Sequence, residues 1–484
     1  MTSIFQFIVR LWNLLWSKKE RSRQVGIAFL TIIISLWIGF RYAKDVFVNL
    51  FPILLWGYLV FLCFIALYPN NRQSPLFDVK RNLPVAGGLL LLFFVSILLR
   101  SVQLDSLPPG LHPDESGYIE FALLHIPNAE QPWLFINPFR TGLDSQPILY
   151  KYLFWISTHL FGPSISAVKI FSVIAGAMAV LGTFLMMKEL TGNIRLAWLT
   201  ALLMSVYHYH VHWSRLALSN IWTTLFLPMT IGLFLLGWRK QHSGAAVLAG
   251  VCLGFSAYVY SGGYFVVILL TILFVRLWRQ TQDRLNLTIY SAKMIAMAAV
   301  IAAPLVVFAY LVPEYFFDRA ALVRGWTPQA IMAYSRGEEI SFRDYFVHQV
   351  EYSFGAYNFH PEITGFYKPE IPFLVGFASI LFLVGIFLAF NRKHYLALIW
   401  LLIVTILGGV MIDGTPGSTH FIGAIPAICW LVALPIDKLF ESGNQRLAYA
   451  LIVVIIYTDL FFYFALYNGN PSSDLTLPFP IIGP

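Results

Sequence analysis

Charge and cysteine are both scarce in this chain. Asp, Glu, Lys and Arg make up 12% of the 484 residues, and Cys63, Cys252 and Cys429 are the only cysteines. Each cysteine lies within an apolar run, which argues against a disulfide framework, and no CxxC-type metal spacing occurs. No Gly-rich phosphate loop follows a strand, and no stretch is long and polar enough for a soluble nucleotide-binding domain. A cytosolic nucleotide-sugar site is therefore not expected. Internal repeats are absent, as is low complexity beyond the polar tail near 468–474. No AxA-like cleavage site follows the basic N-terminal residues Arg10, Lys18, Lys19, Arg21 and Arg23, so the N-terminus reads as uncleaved and cytoplasmic.

What the chain has instead is apolar surface. Hydrophobic residues reach 58%, aromatics 17%, and mean hydropathy is +0.71. Such a composition excludes a soluble globular domain. Runs near 24–40, 48–67, 83–100, 165–187, 196–210, 219–238, 244–259, 262–278, 290–311, 371–390, 395–412, 419–436 and 446–466 lack strand-like alternation. Backbone groups in hydrocarbon must pair within their own segment, so helices are expected. The predicted fold is an all-α polytopic membrane protein of about 13 transmembrane helices, with its C-terminus outside.

The net charge of +8 is explained by topology rather than nucleic-acid binding. Lys188 with Arg195, Arg239 with Lys240, Arg279 with Arg284, and Arg392 with Lys393 all fall in loops predicted to be inside. Residues 1–68 read as a basic segment plus an extra hairpin, 69–467 as the core, and 468–484 as an external tail. Two external loops, 101–164 and 312–370, exceed ordinary connections and point to function. Ser116–Leu124, Pro147–Leu160, Trp326–Arg336 and Ser341–Tyr352 are their predicted helices.

The first of these loops carries adjacent acids, Asp114 and Glu115, in HPDESGYIEFALL. Carboxylates beside a bilayer are costly unless water, a cation or a reacting group compensates them. One reading is a general base or charge stabiliser outside the membrane; the other is a helix N-terminus, with Asp114 capping a helix that begins near Ser116. Arg215 precedes Ser219–Asn220, which can cap the next helix. A guanidinium beside a helix N-terminus suits a phosphate, whereas an interfacial snorkelling Arg is the plainer alternative. Lys151 and Arg140 are further phosphate candidates. Asp144 reads as a second acid or a turn cap. Tyr118, His212, Tyr260 and His420 are candidates for substrate contact, and Glu351 is a lesser one. His208 and His212 share a helical face at i, i+4, the spacing of a metal pair with Glu115 or His112 as third ligand. No HExxH accompanies them, so no metal is required.

Several motifs, taken in order, resemble one family. DESGYIEFALL, then DSQPILYKYL with FGPSISAVKIFSVIAG, then HVHWSRLALSNIW, GFSAYVYSGGYF and HFIGAIPAICWLVALPI are similar to segments of the protein O-mannosyltransferase and aminoarabinose-transferase-like group. These are GT-C class integral membrane glycosyltransferases that use polyprenyl-phosphate sugars. The likeness runs over about residues 84–436. It implies sugar transfer, with inversion, from a polyprenyl-phosphate donor to a protein, lipid or glycan acceptor on the non-cytoplasmic face of the cell membrane. It also implies that Asp114 matches the loop acid of the catalytic centre. Aminoarabinose-transferase relatives are associated with zinc, which keeps a divalent metal open. Lys169 stands where the group more often has Arg, and bacterial members often carry Arg where Tyr264 and Phe421 stand here. Outside this resemblance, a lipid-linked saccharide flippase or transporter and a polysaccharide polymerase or ligase share many-helix architecture. Neither matched broken helices nor charges deep within spans favour the transporter.

Overall fold

The computed structural model describes residues 20–68, 83–109, 111–128, 130–142, 145–322, 325–335, 341–363, 366–367 and 371–467. Within them each predicted apolar run is mainly helical, although the run at 371–390 becomes helical only at Gly376 and that at 196–210 is interrupted at Tyr207. Among the described residues, eight helices are long and apolar enough to cross a membrane, and four shorter apolar helices accompany them. The architecture is that of an all-α polytopic membrane protein.

Chain order begins with a hairpin, α1 (Glu20–Tyr42) and α2 (Leu50–Leu67), followed by α3 (Leu83–Ser101). The first long loop contains α4 (Pro113–His125) and α5 (Lys151–Phe161). The core then runs through α6 (Ile165–Thr191), α7 (Ile194–Val206), the short α8 (His208–Trp213), α9 (Ile221–Arg239), α10 (Ser243–Ser256), α11 (Phe265–Gln280) and α12 (Arg284–Leu311). Among the described residues of the second long loop are α13 (Pro313–Leu322), α14 (Pro328–Ser335) and α15 (Phe342–Gly355). The remainder is α16 (Gly376–Asn391), α17 (Tyr395–Thr405), α18 (Ser418–Phe421), α19 (Ile425–Glu441) and α20 (Gln445–Phe461).

Local sequence sets these boundaries. Ser164 caps α6 by accepting from Ala167 N at 3.1 Å, and α6 ends at Gly192, whose φ of +69° is costly for any residue with a Cβ. Asn193 then caps α7 through Leu196 N at 3.1 Å and donates to Asp437 at 2.9 Å. Arg195 meets the same buried carboxylate, and Arg392 pairs with Glu441. The basic loop residues are thus stapled at one end of the bundle. The start of α9 lies at the opposite end from Arg239, which bonds Glu189 O. Nineteen residues of helix separate the two ends, roughly 28 Å at 1.5 Å per residue and close to a hydrocarbon core.

One departure from an all-α reading concerns the N-terminal hairpin. Its connecting loop forms a three-residue strand, β1 (Phe47–Asn49), antiparallel to β2 (Leu134–Ile136) of the first long loop, with Val48 opposite Phe135. Asn137 reinforces the junction by donating from Nδ2 to Tyr42 O at 2.8 Å and Asp45 O at 3.0 Å. Three-residue strands carry too little alternation to be seen in sequence. Trp56 of α2 bonds Val300 O at 3.3 Å and packs edge-on against Phe139, which fastens the hairpin to α12 as well.

Candidate active site

The floor of the site is built by α4. His112 is its N-cap: Nδ1 accepts from Asp114 N at 3.1 Å, while Glu115 Oε2 accepts from His112 N at 2.9 Å, giving a capping box. The helix therefore begins at Pro113 rather than near Ser116, and the cap expected of Asp114 is supplied by His112. The other Glu115 oxygen accepts from Ala217 N at 2.6 Å. Glu115 is 1% exposed and spends both oxygens on backbone N–H groups, so it couples the loop to the segment leading into α9.

Asp114 is placed differently. It is half-buried and lines a narrow cleft with Tyr118, Gln146, Leu218, Ser219, Asn220, Tyr260, Phe366 and Thr419. Hydroxyls and amides thus surround one carboxylate, with aromatic faces beside it. That set suits a polyhydroxylated ligand and a proton acceptor for one of its hydroxyls. Tyr260 bonds His420 Nδ1 at 2.8 Å, so these two candidates stand together at the cleft edge. Phe366 stacks on His112 with ring centres 3.9 Å apart, and Phe366 O is engaged by His212 Nε2 at 2.8 Å. Burial pushes the His212 imidazole down to a pKa of about 3, which keeps it neutral.

The basic candidates separate by geometry. Lys151 is buried, with its ammonium 4.8 Å from the ring centre of cleft-lining Tyr118 and 4.3 Å from that of Phe121. Arg215 is fully buried and binds carbonyls at the end of α3 and just beyond: Leu99 O at 3.1 Å, Val102 O at 2.5 Å, and Leu107 O at 3.0 and 2.8 Å. A helix C-terminus leaves orphan acceptors, and Arg215 satisfies them instead of facing the cleft. Arg140 lies over Phe308 and Tyr315 and bonds Thr141 O, away from Asp114. Burial lowers its pKa. Glu351 approaches His360 at 3.6 Å rather than the cleft, and Asp144 lies outside the described residues. Asn220 makes no side-chain cap to α9; its amide turns to Thr419 O at 3.5 Å instead.

The histidines have separate partners, and His208 Nε2 is buried without a hydrogen bond. His208 takes Asp459 through its backbone N–H at 3.0 Å and Tyr367 through Nδ1, while His210 Nδ1 meets Arg100 at 2.8 Å. Among the described residues no group of three or more His, Cys, Asp or Glu is arranged to hold a metal ion. Sequence reasoning missed Gln146, Phe366 and Thr419 as cleft residues, and it missed Arg100. Arg100 bonds Ser214 Oγ at 3.1 Å and Ser205 O at 3.1 Å beneath the site. An Arg ending an apolar run looks like a snorkelling cation, and nothing in the sequence distinguishes the two roles. Gly176 permits this packing, because a Cβ there would collide with Ser214 and Arg100. Phe421 is buried against Tyr357 and Phe373.

Residues 145–308 match the family model of dolichyl-phosphate-mannose-protein mannosyltransferase. The resemblance read from the motifs therefore holds for that stretch, which begins beyond Asp114 and Glu115. No curated protein matches the chain. Among solved structures, ArnT from Cupriavidus metallidurans bound to undecaprenyl phosphate is 13% identical, with a TM-score of 0.50 over 78% of this chain and 64% of that one. Archaeal oligosaccharyltransferase AglB from Archaeoglobus fulgidus, in complex with an inhibitory peptide and a dolichol-phosphate, is 17% identical with a TM-score of 0.47 over 80% and 55%. This chain spans less than two thirds of the length of either. At 13% identity the likeness to ArnT concerns the fold.

Proposed function

We propose that this protein transfers a sugar from a polyprenyl-phosphate donor to a hydroxyl acceptor on the non-cytoplasmic side of the cell membrane. The observation that carries the reading is the Asp114 carboxylate. It lines a cleft of hydroxyl and amide groups at the bundle end opposite the stapled basic loops. The positive-inside rule puts those loops in the cytoplasm and the cleft outside. The family match and the lipid phosphate named for ArnT support a lipid-linked donor.

In the proposed reaction the acceptor hydroxyl oxygen attacks the anomeric carbon. Its bond to that carbon forms as the carbon–phosphate-oxygen bond breaks, with inversion. Asp114 takes the hydroxyl proton, and polyprenyl phosphate leaves with the bonding electron pair. Lys151 beside Tyr118 is the basic candidate closest to supplying charge for the phosphate, and Tyr260 with His420 orients the sugar. No metal is required in this scheme, and a divalent cation is a separate question that chelation addresses.

The test uses purified full-length protein in detergent with a labelled polyprenyl-phosphate sugar. Release of polyprenyl phosphate with a new glycosidic bond is expected, and Asp114→Asn should abolish it with insertion and thermal stability unchanged. Full transfer by that variant would remove Asp114 from the chemistry. Lipid movement across vesicles with no glycosidic bond formed would replace the whole reading with a flippase.

A further inference from the structure

The N-terminal hairpin leaves an open crevice on the far side of the molecule from Asp114. A cavity of about 530 Å³ lies between α1 and α12, within the ~300–1,000 Å³ usual for ligand sites. Its walls are apolar, with Ala28, Phe29 and Ile32 from α1 facing Ile289 and Ala296 from α12, and Leu67 closing it from α2. The outer wall is exposed: Val25 is 67% and Phe29 53% accessible. One end is polar. There Lys293 donates to Ser243 Oγ at 2.7 Å, with Gln24, Asn286 and Tyr290 alongside.

Position matters as much as composition. Ser243 starts α10 just beyond the basic loop residues Arg239 and Lys240, so the polar end lies at the end of the bundle where those loops gather. From Asn286 to Ala296 along α12 is ten residues, roughly 15 Å of helix. That is half of a ~30 Å hydrocarbon core, the depth of one leaflet. The charge balance at the mouth is basic. Arg23 precedes Gln24, Arg284 begins α12, and the Lys293 ammonium reaches Ser243 at the start of α10. The one acid on that turn, Asp283, already accepts from Asn286 N at 3.3 Å and Asn286 Nδ2 at 2.8 Å. An apolar slot of this length, with the Lys293 ammonium reaching back to Ser243 at its polar end, complements a lipid whose head is negative.

We propose that the α1–α12 crevice binds an anionic phospholipid of the surrounding bilayer, its phosphate at Lys293 and an acyl chain along the apolar walls. The hairpin would then be a lipid-bound addition to the core, and the inference does not depend on the reaction at Asp114.

The experiment is native mass spectrometry of the full chain released from nanodiscs of mixed phosphatidylglycerol and phosphatidylcholine. Wild type should retain phosphatidylglycerol over phosphatidylcholine by about fivefold, the weight of one well-placed lysine at a charged surface. Lys293→Gln should bring the two close to parity, Lys293→Arg should keep the preference, and Ala296→Trp should reduce retention of both. Each variant is compared with wild type by thermal unfolding to confirm folding. Equal retention of the two lipids by wild type, or an undiminished preference in Lys293→Gln, would overturn the proposal.

Discussion

Replacing Glu115 should damage the fold far more than the chemistry, and replacing its neighbour should do the reverse. Glu115 is 1% exposed and accepts from His112 N at 2.9 Å and Ala217 N at 2.6 Å. Hydrogen bonds to a charged partner contribute about 1.5–3 kcal/mol each, and buried donors left without a partner lose their solvation as well. Two such bonds give about 3–6 kcal/mol for Glu115→Ala. At roughly 2 °C per kcal/mol for a large domain, the unfolding midpoint should fall by about 6–12 °C. Glu115→Gln retains one acceptor oxygen and should lose about half as much. Intrinsic tryptophan fluorescence during heating in detergent reads both values, and Asp114→Asn is the control, with a shift below about 2 °C expected. An unchanged midpoint in Glu115→Ala would refute the structural assignment. A transfer rate abolished in Glu115→Gln at full stability would give Glu115 a part in the reaction.

Arg215→Lys should lower the unfolding midpoint by several degrees, because a lysine cannot reach the three carbonyls that the guanidinium joins. Its KM for the donor should stay near wild type, and a large rise in KM at unchanged stability would restore Arg215 as a phosphate ligand. His212 carries a pH dependence. Its folded pKa of about 3 lies below the unfolded value near 6.5, so its contribution to stability is complete above pH 6.5 and is lost as pH falls toward 3. The slope below pH 6 should approach about 1.4 kcal/mol per pH unit for this group. His212→Gln should flatten it, and identical pH profiles for the two proteins would contradict the assignment. Tyr260→Phe removes the bond to His420 and should reduce kcat/KM with little thermal effect, measured with the labelled donor. Asn137→Ala should loosen the hairpin junction, read as faster hydrogen exchange over residues 42–49, since it frees Tyr42 O and Asp45 O.

Much of the helical layout was legible because hydrocarbon leaves the backbone little choice. Long apolar runs with basic loops at alternate ends predict both the helices and the side on which Arg195, Arg239 and Arg392 gather. Four of the loop helices were legible too, including α15, which Ser341 caps through Asp344 N at 3.1 Å, whereas α13 was not. The β1–β2 pairing was not, because its register is set by the fit of two loops far apart in sequence.

For the site, the sequence by itself singled out the acidic pair, the SR…SN segment, Tyr260 and His420. Charge and polarity are rare enough in this chain to be conspicuous, and the ordered motifs gave them a family context. Which acid lines the cleft was decided only by tertiary structure. Asp114 and Glu115 are adjacent in the chain, but a helical turn directs one carboxylate to the cleft and the other onto backbone N–H groups. The same holds for Arg215, the leading phosphate candidate in sequence, and Lys151, a further one. One satisfies the end of α3, while the other lies over an aromatic ring at the cleft. Residue type sets what a group is able to bind, and the partners that folding brings within 3 Å decide what it does bind.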